Sequence, residues 1–184
     1  AGGRRSPRHP GADLPQQRIS NGLKISSVRP LSLHRLMEHD TPAYFEQQHR
    51  RLDAQLHAHL MDVVGADFGG ALRRLQRWHR ALLRHIHIEN TRLLPHLPQA
   101  ARWAARFNLL EHDRIALLAE AYVARVQAMA SHPPRSDKAT RNAVLVLLDA
   151  AHALRHLLEH HHEREHIALA KEVPPDVQAA AWRR

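Results

Sequence analysis

The chain contains no cysteine. That absence excludes disulfides, thiolate zinc sites, iron–sulfur ligation and a cysteine nucleophile. Aromatic residues make up 4% of the chain, glycine totals 7, and runs of β-branched or aromatic residues are scarce, so sheet is disfavoured. No apolar run approaches about 18 residues, so no membrane span is expected. The opening AGGRRSPRHP has no apolar stretch behind its charges and does not read as a secretory signal; a cytoplasmic location is expected. What remains is 43% hydrophobic residues with abundant Ala, Leu and Arg, a composition that favours helices. At 184 residues the chain suits one domain with a tail. Roughly 70% of the unfolded surface can be buried at that size, so no covalent staples are needed.

Two things are present in excess: a net charge of +9 and 18 histidines. Residues 1–30 hold Arg4, Arg5, Arg8, Arg18, Lys24 and Arg29 against Asp13 alone, which accounts for +5 of the +9. Four prolines, four glycines and no apolar periodicity predict a disordered or extended basic tail over 1–36. Such an arm can meet an acidic surface. The rest of the chain lacks the aromatic interleaving of a nucleic-acid platform, so nucleic acid is not an expected partner.

Residues 37–175 predict an all-α fold, an up-down antiparallel four-helix bundle, and 176–184 a short C-terminal helix or tail. The first helix opens at Thr41-Pro42, a cap followed by proline at the first helical position, and stops at Gly65. Its face reads Phe45, His49, Leu52, Leu56, Leu60. The second opens near Asp67, with Gly69 and Gly70 weakening its first turn. Its face is Leu72, Leu75, Leu82, His85, Glu89, Leu93, and Pro95 and Pro98 mark its end. The third lies within 98–130 with a face of Leu109, His112, Ile115, Ala119, Tyr122, Val126. After the break SHPPRSD, the fourth runs from Ser136 or Asp137 to about Glu172. Its face is Leu147, Ala151, Leu154, Leu158, His161, Glu165, Leu169. Helices of about 25 residues span about 37 Å, and the short loops favour antiparallel neighbours.

Most histidines fall off these faces. His57, His59, His87, His96, His132 and His166 read as surface or loop residues. His49, His85, His112 and His161 instead occupy the inward stripe, one per helix, and two are followed four residues later by inward Glu89 and Glu165. Residues i and i+4 stack on one helix face, so an imidazole and a carboxylate converge on one point. A buried carboxylate without a partner is very costly. A pair of divalent cations bridged by the two glutamates removes that cost. Mixed imidazole and carboxylate ligands suit iron first, then manganese or zinc. His160 is the rival to His161, and His39 the rival to His49. His156 and His160, also i and i+4, can hold adventitious metal. Asp53 and Glu111 are expected either to fix imidazole tautomers or to be solvated charges. Tyr122 is read as a core tyrosine.

These residues resemble the hemerythrin-like HHE cation-binding family. The matching segments are HRRLD (49–53), LLRHIHIENTRLLPHL (82–97), LLEHDRI (109–115) and HHEREHIAL (161–169). The resemblance spans about 41–172. It implies an up-down four-helix bundle around a non-heme di-iron centre, ligated by His49, His85, Glu89, His112, His161 and Glu165 with both glutamates bridging. Oxygen-carrying hemerythrins have a further histidine four residues after the one on the third helix. Ala116 stands there, which argues against simple reversible oxygen transport. Asn90 stands where the family often has a second acid after the glutamate of the second helix. The expected function is binding or sensing of O2, peroxide or nitric oxide at two irons, with zinc or manganese as alternative metals. The rival expectations are an iron or zinc sensing or storage module without turnover, a di-iron peroxidase or stress-response enzyme, and a metal-free bundle that binds a partner through its basic arm.

Overall fold

A computed structural model describes residues 42–167 and 169–183, with side chains from Glu46 onward. The expected tail over 1–36, the rival ligand His39, the Thr41 cap and the Phe45 side chain lie outside the described residues. All regular structure among the described residues is helical. Four long helices are α1 (Pro42–Val64), α2 (Phe68–Ile88), α3 (Arg102–Ser131) and α4 (Asp137–Ile167); two short ones are α5 (Leu169–Glu172) and α6 (Pro175–Ala181). The long fourth helix expected to reach Glu172 is thus recorded as α4 and α5, with Ala168 between them outside the description.

The α1–α2 corner follows from side-chain chemistry. Ala66, not Gly65, takes the left-handed conformation, at φ 58°. Ala66 N–H donates to the Val63 carbonyl and Asp67 N–H to that of Asp62, which closes α1 in the Schellman manner. Asp67 then caps α2 by accepting from the Gly70 amide at 2.8 Å. A Cβ on Gly70 would run into that carboxylate, so a larger residue there would make the capping Asp67 side chain shift.

The far end of α2 widens. Leu94 N–H donates to the Glu89 carbonyl, five residues back, and Glu89–Leu93 forms one π-helical turn. Pro95 explains the local failure of α-helix: it has no N–H and its ring clashes with the carbonyl four residues earlier. The widened turn begins at Glu89, and such turns occur often at functional sites.

α1 packs on α2 and on α4, α2 on α3, and α3 on α4, so the four long helices close a ring of contacts. The main core holds Leu52, Leu56 and Leu60 of α1, Leu75, Trp78 and Leu82 of α2, Ile115 and Val126 of α3, and Leu147, Leu154 and Leu158 of α4. A second apolar cluster joins Ile88, Leu93, Leu94, Leu169, Val173 and Ala181. The buried polar residues include His49, His85, Asn108, Glu111, His112, His161 and Glu165 of the long helices and Glu89 of the π-helical turn.

Three face assignments differ from expectation. Leu109 is 41% exposed. With His112 and Ile115 inward, the next turn back presents Asn108 and Glu111 to the interior, and Leu109 turns out. Leu72 is half-buried. His59, expected on the surface, is fully buried, while His57, His87, His96, His132 and His166 are exposed as expected.

Candidate metal centre

Glu89 and Glu165 sit one helical turn beyond His85 and His161, and both carboxylates are 0% exposed. His49 of α1 and His112 of α3 complete the set from opposite sides. Their ligand atoms form two groups, His49/His85/Glu89/Glu165 and Glu89/His112/His161/Glu165, each within 4.8 Å throughout. All six residues singled out from the helix faces are therefore brought together, and the two glutamates are common to both groups.

The carboxylates divide their oxygens. Glu89 turns Oε1 toward His85 Nε2 at 3.0 Å and His49 Nε2 at 3.9 Å, and Oε2 toward His112 Nε2 at 3.4 Å. Glu165 turns Oε2 toward His49 Nε2 at 3.3 Å, and Oε1 toward His112 and His161 Nε2 at 3.4 and 3.3 Å. All four oxygens are buried, yet none accepts a hydrogen bond of ordinary angle. They point toward a shared space between the rings rather than along N–H bonds.

The imidazoles are arranged in the same way. The Nε2 atoms of His49 and His85 lie 3.2 Å apart, and those of His112 and His161 lie 3.0 Å apart. Two nitrogens bound in adjacent positions on one ion, each at about 2.1 Å, would sit about 3.0 Å from each other. For the second pair the outer nitrogens settle the tautomers. His112 Nδ1–H donates to Asn90 Oδ1 at 2.6 Å, and His161 Nδ1–H donates to Glu111 Oε2 at 3.1 Å. Two neutral rings would then face each other with Nε2 lone pairs at 3.0 Å, a repulsion that a ring proton or a bound cation between them removes. Arg164 clamps Glu111 with two guanidinium nitrogens and so fixes the acceptor of His161.

Electrostatics agree with a cation requirement. Burial alone would keep His49 and His112 neutral. The carboxylates of Glu165 and Glu89 outweigh burial, and each histidine is pushed up to about 9. His161 is raised for the same reason. Burial alone would protonate Glu89 and Glu165; the surrounding histidines overcome it and hold both well below the usual carboxylate range. Without metal, protons on the rings supply the positive charge that two buried carboxylates demand. The donor set thus fits divalent cations: imidazole and carboxylate only, convergent, and charge-deficient.

No family model, curated protein or solved structure matches the chain. The centre is therefore read from its own chemistry. Among the histidine alternatives, His160 is not in the cluster; its Nε2 lies 3.3 Å from His156 Nε2 on the exposed face of α4. His162 stacks on His49 with ring centroids 3.9 Å apart and planes 7° from parallel. Asp53 reaches His162 rather than His49, at 3.5 Å. Glu111 supports His161 rather than His112, across the helix pair and not along its own helix.

Two residues with no earlier assignment complete the surroundings: Asn90, which holds His112, and Trp182, which stacks on His85 at 5.1 Å. Asn90 is signalled only by its place next to Glu89, and Trp182 by nothing in the periodic pattern. Tyr122 lies in the apolar core, where its hydroxyl meets His59 Nε2 at 2.9 Å.

Proposed function

We propose that this chain is a hemerythrin-like four-helix bundle whose centre holds two irons and binds O2, peroxide or nitric oxide. The observation that carries the reading is the division of each glutamate between the two halves of the centre, one oxygen to each. A carboxylate placed that way bridges two cations. The up-down arrangement is supported by the same convergence: His49 and His112 lie in the first part of their helices, His85 and His161 in the last part. Neighbouring helices must alternate in direction for those positions to meet.

His49 and His85 would hold one ion, His112 and His161 the other, and Glu89 and Glu165 both. Iron bound there supplies electron transfer to, or reversible association with, a small oxidant. The chain's own residues do the rest. Asn90 and the Glu111–Arg164 pair hold two imidazoles with Nε2 inward. Buried Leu52, Leu82, Ile115 and Leu158, one turn away on each helix, exclude bulk water. Each half offers two nitrogens and two oxygens. That leaves room at a metal of higher coordination number for a small molecule, and Ala116 adds no further ligand.

A second reading, a metal store or sensor without turnover, is favoured by the exposed row His152, His156 and His160 on α4. Metal content by mass spectrometry, with optical spectra before and after air, tests both. About two irons per chain with charge-transfer bands that change on exposure to air support the first reading. Iron or zinc that is silent to air supports the second. No metal after anaerobic iron loading of a folded chain overturns both.

A further inference from the structure

A cavity of about 440 Å³ opens between α1 and α2 on the outer side of the centre. Its walls carry Arg51, Arg80 and Arg84, its floor is His85, and Gln55 and Trp182 flank it. No acidic residue among the described ones lines it. Among the described residues none of the three arginines lies within ion-pair distance of a carboxylate, whereas Arg50, Arg74 and Arg164 each have one. Arg80 and Arg84 stand four apart on one face of α2, where like charges repel. α2 as a whole carries five arginines and no acid. The three arginines are exposed, and lining one cavity without a counter-charge among the described residues they give it a positive field that favours an anion.

His85 provides the second, independent observation. Its Nε2 is turned to Glu89 at 3.0 Å. Its Nδ1 is buried and has no hydrogen-bond partner, although the side chain is only 6% exposed. An imidazole that uses Nε2 for a metal carries its proton on Nδ1, and that N–H nearly always donates to a carboxylate, a carbonyl or a water. His112 and His161 follow that rule through Asn90 and Glu111. His85 lacks such an acceptor, and the described residues supply no negative charge to the cavity. Gln55 also lines the cavity, and its side-chain amide N–H2 is a further donor for the same ligand.

We propose that this cavity is a binding site for a small oxyanion, which pairs with Arg51, Arg80 and Arg84 and supplies the missing acceptor for His85 Nδ1–H, directly or through one water. The class is an anion with two or more oxygens on one centre, matched to guanidinium forks. Trp182, stacked on His85, covers it from the C-terminal side. The anion would thereby act on the centre through the ring of one ligand, as Asn90 and Glu111 do for the others. The His85 part of this assignment rests on the metal reading above; the arginine part does not.

The test titrates sulfate and acetate into the full chain, metal-free and metal-loaded. Both probes leave bound metal in place where phosphate or citrate would strip it. Tryptophan fluorescence and amide NMR shifts follow binding, and metal content is measured on the same samples. The expected result is saturable binding of one anion per chain, at least tenfold weaker in the Arg80→Gln/Arg84→Gln variant and unchanged in Arg73→Gln, an exposed arginine outside the cavity. The double variant should keep its helicity and its metal. Whichever probe binds tighter names the source of the oxyanion, inorganic or carboxylate, and either supports the site. Tighter binding to the metal-loaded than to the metal-free chain supports the link to His85; equal affinity overturns that link. No saturation, or equal loss in Arg73→Gln and the double variant, means an adventitious ion only and overturns the site. A chain that takes no metal but still binds the anion through Arg80 and Arg84 fails the metal reading and keeps the cavity.

Discussion

The chain buries histidine in two different ways. In the apolar core, His59 donates from Nδ1 to the Ala71 carbonyl at 2.8 Å and accepts from the Tyr122 hydroxyl at 2.9 Å. Both nitrogens are satisfied, and burial lowers its pKa. Between the two apolar clusters, four histidines turn nitrogens toward one another and toward carboxylates that have no donors of proper geometry. Three of these have raised pKa values. Burial is the same in both places. The partners differ, and they separate a histidine that completes a core from histidines grouped so that they could hold a cation.

The largest way to break this contrast is to remove the carboxylates. Glu89→Leu/Glu165→Leu should abolish metal uptake and with it the metal-dependent part of stability. That part is about 4 kcal/mol for an ion at 1,000 times its dissociation constant. Thermal melts with and without metal, alongside mass-spectrometric metal content, read it directly. A variant that still rises in melting temperature with iron would put the ligands elsewhere.

His59→Ala should do the reverse. It removes a fully buried ring and leaves the Tyr122 hydroxyl without its partner, so stability should fall by about 3 kcal/mol with metal content unchanged. Tyr122→Phe should cost about 1 kcal/mol by the same route. Denaturant unfolding measures both; metal loss in either variant would merge the two regions that the structure keeps apart.

The contrast also has a pH signature. In the metal-free chain His49 and His112 rise from 6.5 to about 9. A raised histidine contributes stability that is complete below the unfolded value near 6.5 and is lost as pH climbs through about 9. Glu89 and Glu165 are lowered from 4.5, so their contribution is present above that value and lost as pH falls below it. The metal-free chain should therefore be most stable between about pH 4.5 and 6.5 and weaken toward pH 9. Burial lowers His59, His79 and His162, and these shifts oppose that slope. Metal binding displaces the ring protons, so the loaded chain should gain stability over the metal-free one as pH rises. Melts of both forms from pH 5 to 9 would show the two curves diverging; parallel curves would mean that no ring proton is displaced.

The smallest expected effect lies at the α1–α2 corner, remote from both histidine environments in kind. Ala66→Gly relieves a left-handed alanine and should add about 1 kcal/mol. Metal affinity should stay constant, and a change in it would show that the corner sets the position of His49 and His85.

Much of this was legible along the chain because helical period is a local property. Leu52, Leu56 and Leu60, or Leu154, Leu158 and His161, declare one face of one helix by spacing alone, and the six inward His and Glu residues follow from continuing those faces. His59 was legible too. It lies seven residues after Leu52 and three after Leu56, on the same stripe, and only its residue type suggested the surface. Leu109 failed for the opposite reason: the stripe of the 30-residue α3 passes through Asn108 and Glu111, polar residues that a hydrophobic count discards.

Sequence by itself determined the long helices, their breaks near Gly65, Pro95 and SHPPRSD, and most of the side chains that face inward, because each depends on neighbours within about one or two turns. Only the tertiary structure decided the pairings between helices. Asn90 with His112, Glu111 with His161 and not its own neighbour, His162 against His49, and Trp182 over His85 all join residues far apart in the chain. Such contacts depend on the rotation and stagger of one helix against another. Those are set by how whole side-chain surfaces interlock, and no local spacing encodes them.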